Sequence, residues 1–164
     1  MMKEPLGAFR AGQTPAPEPL HYTVSGLENV WLLNGFVVEE TPYGRGVRIE
    51  DADGLHRELA RAIVLDKAPM SGRELRFVRK LMGLSQNGLA RLLGCSDQRI
   101  ARWEKGHTAA IDPSAERLLR MVVREWLGDG CDVKEALEEL AELDEAIHGR
   151  RNLMRDGEAW KRAA

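Results

Sequence analysis

The sequence predicts an α+β fold: a small antiparallel β-meander with a covering helix, followed by an all-α domain of five helices. Between Tyr22 and Asp51, β-branched and aromatic residues surround Asn34-Gly35, a dipeptide that favours a tight hairpin turn. From Asp53 to Ile147, apolar residues recur instead at the three-to-four-residue spacing of amphipathic helices. This change of period separates a β-rich region from a helical one.

The β-rich domain is assigned to residues 21–68. Its three strands are expected at Val30–Leu33, Phe36–Val38 and Val47–Glu50, joined at Asn34-Gly35 and at the turn Thr41–Gly46. Three strands without a covering layer cannot bury both faces, so a helix over Asp53–Asp66, capped by Asp53, is expected to lie across one face. Residues 1–20 contain four prolines without periodicity, which predicts a disordered arm.

Caps and periodicity predict five further helices. The first opens at Ser71 with Glu74 in a capping box, and the others cover Ser85–Leu93, Ser96–Glu104, Pro113–Leu127 and Val133–His148. Expected buried residues include Leu89, Leu92 and Leu93, and a stripe of Leu118, Leu119, Val122, Val123 and Trp126. We therefore assign residues 70–127 to one helical domain, 132–148 to an acidic C-terminal helix, and 149–164 to a basic tail that is expected to be frayed.

Residues 84–106 have the layout of a DNA-binding helix-turn-helix, two short capped helices joined by a turn at Gly94. In the second helix, Gln98, Arg99 and Arg102 share an outer side, whereas Ile100 and Trp103 point inward. Gln and Arg can pair with adenine and guanine through two hydrogen bonds each. The pattern therefore predicts a protein that reads base edges in the major groove.

This segment resembles the Cro/C1-type (XRE) helix-turn-helix family over residues 71–125. The matching residues are Leu84-Ser85-Gln86, Leu89-Ala90, Gly94, Ser96 to Arg99, and Glu104-Lys105-Gly106. The resemblance implies that helix 96–104 lies in the major groove of double-stranded DNA. Gly88 departs from the pattern because glycine disfavours a helix interior by about 1 kcal/mol relative to alanine. Asp97 also departs from it, since it places an acid at a position that looks toward DNA.

Eight residues are the candidate DNA contacts: Gln86, Asn87, Asp97, Gln98, Arg99, Arg102, Lys105 and His107. Gln98 and Arg102 are the leading base readers, and Arg99 is expected to contact a base or a phosphate. The family resemblance implies that Gln86 clamps the DNA backbone. Asp97 either accepts from a cytosine amino group or pairs with Arg99, while Glu104 is expected to pair with an arginine of its own domain.

Charge is unevenly distributed along a chain whose formal net charge is −2. Residues 70–110 hold eight basic and three acidic residues, and residues 125–147 hold nine acidic residues and one lysine. A basic block next to an acidic one suits a protein with one face for phosphate and another for a different partner. Chance clustering of charges on solvated helices is the alternative.

The segment from Tyr22 to His56 resembles the N-terminal module of two-domain antitoxins of the YgiT/MqsA type. That module uses paired cysteines for zinc in its metal-binding form, and no cysteine precedes Cys95 here, so structural zinc is not expected. The predicted function is a sequence-specific transcriptional regulator, a homodimeric repressor, with an autoregulating type II antitoxin and its cognate toxin as a further hypothesis. The alternative is a protein-interaction module that neutralises a toxin or senses a ligand with little DNA binding of its own.

The other function classes lack support in the sequence. The four histidines have no metal-ligand spacing, Cys95 and Cys131 are isolated, and Tyr43-Gly44-Arg45-Gly46 lacks the Lys-Ser/Thr of a phosphate loop. We therefore expect no catalytic residue, metal or cofactor. The chain shows neither a long apolar run nor a signal-peptide pattern, so a cytoplasmic protein without membrane contact is expected.

Overall fold

The computed structural model describes residues 18–106, 110–130 and 150–163. These residues form six strands and five helices, which confirms the α+β class. The strands are β1 (Leu20–His21), β2 (Val30–Leu32), β3 (Phe36–Thr41), β4 (Gly44–Ile49), β5 (Arg151–Asp156) and β6 (Ala159–Arg162). The helices are α1 (Ala52–Leu65), α2 (Gly72–Leu81), α3 (Gln86–Leu93), α4 (Asp97–Lys105) and α5 (Pro113–Leu127).

The described residues divide into two compact units. Residues 18–58 and 150–163 form the first unit, and residues 59–106 and 110–130 form the second. The predicted acidic helix over 132–148 and the first seventeen residues of the predicted arm lie outside the described residues, whereas Leu20 of that arm belongs to β1.

The first unit contains a four-stranded sheet in the order β1-β2-β5-β6 and a separate hairpin of β3 and β4. β2 pairs in parallel with β5, in a register that places Val30 opposite Arg151 and Leu32 opposite Leu153. Alternate residues of a strand point to the same face. The fully buried Val30, Leu32 and Leu153 therefore form the apolar core on one face of this sheet.

Asn34-Gly35 does not close a hairpin between β2 and β3, so that prediction is wrong. The Asn34 side chain is buried and pairs with the main chain of β5, where Oδ1 accepts from the Arg155 N–H at 2.7 Å and Nδ2 donates to its carbonyl at 3.4 Å. Gly35 has φ +75°, and a Cβ there would lie 2.5 Å from the Trp160 ring. The dipeptide thus holds the C-terminal strands rather than reversing the chain.

The basic tail, expected to be frayed, forms β5 and β6. Leu153 and Trp160 of these strands are buried, and the Trp160 indole N–H is shared between the carbonyls of Glu50 and Asp51 at 3.3 and 3.1 Å. The tail is ordered because it completes the parallel pairing of β2. That partner lies more than a hundred residues away in sequence.

The predicted helix after the strands is present as α1, with a different capping residue. Asp51, at φ 48°, accepts the Gly54 N–H through Oδ1 at 3.0 Å, whereas Asp53 lies within the first turn. A carboxylate at either position is stabilised by the positive end of the helix dipole. The cap hydrogen bond is made by Asp51 because this residue precedes the helix, and its side chain can reach the free N–H of Gly54 in the first turn.

In the second unit the predicted caps are present at α2, α3 and α4. Ser71 and Glu74 form the reciprocal capping box of α2, and the hydroxyls of Ser85 and Ser96 accept the third N–H of α3 and α4. Three apolar residues that were expected to be buried are instead exposed: Leu92 at 50%, Leu118 at 39% and Trp126 at 37%. The core of this unit includes Leu75, Leu89, Ile100 and Leu119, each without exposed surface.

A buried arginine joins α5 to the end of α1. Arg120 is 1% exposed and donates through Nε and Nη2 to Oε1 of Glu116, one turn earlier in α5. Its guanidinium also donates to the main-chain carbonyls of Ile63, Val64, Asp66 and Ala68. The last carbonyls of a helix have no partner within the helix, so Arg120 caps α1.

We expect Arg120→Ala to lower the free energy of unfolding by about 3–5 kcal/mol, because it leaves Glu116 as an uncompensated buried charge. Urea denaturation followed by circular dichroism measures the change. The matched control is Arg117→Ala, which removes a half-buried arginine of the same helix and should change stability by less than about 0.5 kcal/mol. Equal effects of the two substitutions would contradict the proposed capping role of Arg120.

Candidate nucleic-acid interface

The candidate interface is formed by α3, a short turn and α4. Gly94 ends α3 in the left-handed conformation at φ 66°, which reverses the chain at a position where a side chain would be strained. Ser96 then caps α4 by accepting the Arg99 N–H at 3.3 Å. These two local signals set the path of the chain from one helix to the next.

Helix α4 has one buried and one exposed side, as the sequence predicts. Ile100 and Trp103 are buried at 0% and 4% exposure. The exposed side carries five of the predicted contact residues: Asp97, Gln98, Arg99, Arg102 and Lys105. A helix that reads bases must expose these side chains. Their contacts with DNA remain predictions.

The other predicted contacts differ in their surroundings. Asn87 is exposed in the first turn of α3, and Gln86 beside it is half-buried. The Gln86 Nε2 donates to Oε2 of Glu104 at 3.0 Å, which leaves the second N–H of the same amide for another acceptor. His107 lies outside the described residues.

Glu104 joins α2, α3 and α4 through its carboxylate. Arg79 of α2 donates to it through Nε and, at 3.1 Å, through Nη2, and Nη1 of the same arginine donates to the Leu84 carbonyl at 2.8 Å. The side chains of Arg79 and Glu104 are 10% and 6% exposed. The sequence-based expectation that Glu104 pairs with an arginine of its own domain is therefore confirmed.

The comparison with known families agrees with this geometry. The helix-turn-helix family model matches residues 75–122. These residues form an XRE-type helix-turn-helix domain. Searches of curated proteins and of solved structures found no match.

Asp97 has a structural partner within the helix-turn-helix domain. Its Oδ1 accepts the Gln98 N–H at 2.8 Å at the start of α4, where the helix dipole favours a negative charge. The sequence left the role of this acid open between a cytosine contact and a pair with Arg99. Stabilising the start of α4 is a role that needs no DNA.

The Arg99 guanidinium lies over the ring of Trp103, with its carbon 5.7 Å from the ring centroid. Both residues line a cavity of about 380 Å³ together with Arg102, Ala110 and Asp112. The contact holds Arg99 against the side of α4 while its charged group remains exposed. The helix-turn-helix domain therefore presents two arginines close together beside the start of α5.

Two determinants of the interface were missed by sequence reasoning. These are the pairing of Arg79 with Glu104 and the close approach of two helices at Gly72. A Cβ at Gly72 would lie 2.1 Å from the Trp103 carbonyl oxygen, so glycine lets the start of α2 approach the end of α4. The spacing of Arg79 from Glu104 in the sequence carries no signal for their contact, because it depends on how the helices pack.

Neither a metal cluster nor a membrane span is present in the part of the chain that the structure describes. No three His, Cys, Asp or Glu side chains come together there as metal ligands. Among these helices, none combines the length and the apolarity that crossing a membrane requires.

The electrostatics of Glu104 make stability depend on pH. Burial raises the pKa of its carboxyl group. Hydrogen bonds from Arg79 and Gln86 outweigh that effect, together with the charges of Arg79 and Arg76, so the pKa lies below its ordinary value. Folding therefore favours the ionised form, and this stabilisation is complete above the ordinary pKa and lost as pH falls through the folded-state pKa.

We expect Glu104→Gln to lower the free energy of unfolding at pH 7, because Arg79 then lacks its counter-charge, and to flatten its decline below about pH 4.5. Urea midpoints between pH 7 and pH 3 measure both effects. Glu125→Gln removes an exposed carboxylate of α5 and is the matched control, which should keep the wild-type decline. The assignment fails if the two variants share one pH profile.

Proposed function

We propose that this protein is a sequence-specific DNA-binding transcriptional regulator that acts as a repressor. The observation that carries the proposal is the division of α4, with Ile100 and Trp103 in the core and an exposed side of amide and guanidinium groups. These groups form paired hydrogen bonds with adenine and guanine in the major groove. The helix-turn-helix match over residues 75–122 supports the same function.

In this proposal the contact residues have different roles. Gln98 and Arg102 lie four residues apart on the exposed side of α4 and read bases, and Arg99 beside them contacts a base or a phosphate. Gln86 offers its remaining amide N–H to a phosphate at the start of α3, where main-chain N–H groups also favour an anion. Binding rather than catalysis is thus the proposed activity.

A homodimer is part of this proposal. One helix-turn-helix buries too little surface for selective binding, so such domains read paired half-sites about one helical turn apart. The partly exposed Leu118 and Trp126 of α5 support a contact surface on that helix. Leu137, Leu140 and Ile147, which the sequence adds to the same surface, lie outside the described residues. The first unit is the alternative dimer surface.

Selection of bound duplexes from a random DNA pool tests the function directly. The expected result is one enriched motif, present as two half-sites with centres separated by about 10 base pairs. A single half-site would contradict the dimer but not the reading helix. A protein that enriches no sequence would overturn the proposed function.

On the selected site, Arg102→Ala should cost about 1–3 kcal/mol of binding free energy and relax the preference at one base pair. Gln86→Ala should weaken binding evenly across sequences, since a phosphate contact carries no sequence information. Arg91→Ala removes an exposed arginine of α3 and is the matched control, with base preference unchanged. Titration of labelled duplexes measures these effects, and an unaltered preference in Arg102→Ala would refute our placement of α4.

Binding of a partner protein by the first unit is a second candidate function, in line with the antitoxin hypothesis. Apolar side chains of this unit are strongly exposed: Tyr43 at 100%, Val24 at 84% and Val47 at 46%. Tyr43 lies at the tip of the β3–β4 hairpin, and Val47 follows it in β4. Exposed apolar side chains that lie close together in the chain, as Tyr43 and Val47 do, favour a protein-interaction surface.

Co-expression with the product of a neighbouring small open reading frame tests this second function. A toxic partner should co-purify with the wild-type chain, which should restore growth, and Tyr43→Ala should weaken both effects. Leu65→Ala removes an exposed apolar side chain of the second unit and is the control. The antitoxin hypothesis would be rejected if there were neither a complex nor restored growth.

A further inference from the structure

One side of α2 carries three exposed cations, Arg73, Arg76 and Lys80. At 100° per residue these positions lie within about 60° of one another around the helix. Glu74 is the single acid of α2, and it is buried in the capping box with Ser71. The exposed side of the helix therefore has no carboxylate of its own.

This arrangement contributes little to the stability of α2, because the helix dipole favours Lys80 in the last turn but disfavours Arg73 in the first. Like charges three or four residues apart on a helix destabilise it slightly. The buried cation of α2, Arg79, has its counter-charge in Glu104. Within the described residues neither Arg76 nor Lys80 forms an ion pair with an acid. The charges of Arg76 and Lys80 thus fit an external anion better than a structural role.

The stripe meets the candidate interface at Arg76 and Arg73. Arg76 is close enough to Glu104 for its charge to act on that carboxylate, which also binds Gln86. Arg73 lines a groove of about 660 Å³ with Lys105 and Gly106, at the end of α4. The cations of α2 therefore extend the basic surface of α4 along a neighbouring helix.

We propose that Arg73, Arg76 and Lys80 bind phosphates of the DNA backbone outside the stretch read by α4. Arg73 and Lys80 lie about 10 Å apart along the helix axis, and three successive phosphates of one strand span about 7 Å of axial rise, so three long side chains can each reach one phosphate. A row of evenly spaced phosphates fits such a stripe better than a compact anion does. This inference rests on the proposed DNA binding and adds a second, sequence-independent contact to it.

The test is the salt dependence of binding to the selected DNA site by the full chain carrying Arg73→Gln, Arg76→Gln and Lys80→Gln together. Each lost phosphate contact lowers the slope of log K against log salt by about 0.9. Three lost contacts should therefore shrink the affinity ratio between 50 and 200 mM KCl by about 40-fold. The preferred sequence should stay the same, because phosphates carry no base information.

The matched control removes the same charge elsewhere, through Arg45→Gln, Lys67→Gln and Arg162→Gln, all at exposed positions. It should keep the wild-type slope, as should Arg73→Lys with Arg76→Lys and Lys80→Arg. Urea midpoints verify folding, and Lys80→Gln alone should lower the slope by about 0.9 if the triple variant is unstable.

If the wild-type chain binds DNA and the α2 substitutions leave the slope of log K against log salt unchanged, this inference is overturned. The proposed function is then still intact. An equal loss in the control variant would overturn it as well, because net charge would then explain the effect. A wild-type chain that binds no duplex would overturn the proposed function and, with it, the phosphate stripe.

Discussion

The position of α4 in the helix-turn-helix domain depends on one buried ion pair. The Glu104 carboxylate in the last turn of α4 accepts from Arg79 of α2 and from Gln86 of α3, while Arg79 also bonds the Leu84 carbonyl before α3. Both charged side chains are nearly inaccessible to water, so their attraction is weakly screened. A single carboxylate therefore joins three helices at a common point.

Arginine has two different roles in the helix-turn-helix domain, one structural and one at the surface. Arg79 and Arg120 are buried and satisfied by carboxylates and main-chain carbonyls, so they fix the helices. Arg76 and Arg102 are exposed and carry the charge of the candidate interface. Because a guanidinium has five donors, it is stable in the interior where enough acceptors converge and otherwise remains in water. Whether an arginine is buried or exposed therefore depends on the acceptors that the neighbouring elements provide.

Much of the candidate site could be predicted because its signals are local. Ser71, Ser85 and Ser96 act on main-chain groups three residues away, and Gly94 supplies a conformation that other residues adopt with strain. The faces of α4 follow from the helical repeat. Burial of Leu92 was predicted wrongly, since periodicity shows which residues share a face but not how far neighbouring helices cover it.

Local chemistry along the chain thus specified the helices α1 to α5, the caps of α2, α3 and α4, and the outward side of α4. Packing over long sequence distances decided the rest: the pairing of β2 with β5, the use of Asn34 to hold the β5 backbone, and the burial of Arg79 and Arg120. Each of these features joins residues that are distant in sequence, so no periodicity or spacing signals it. The free energy that selects them arises only when the partners have been brought together by folding.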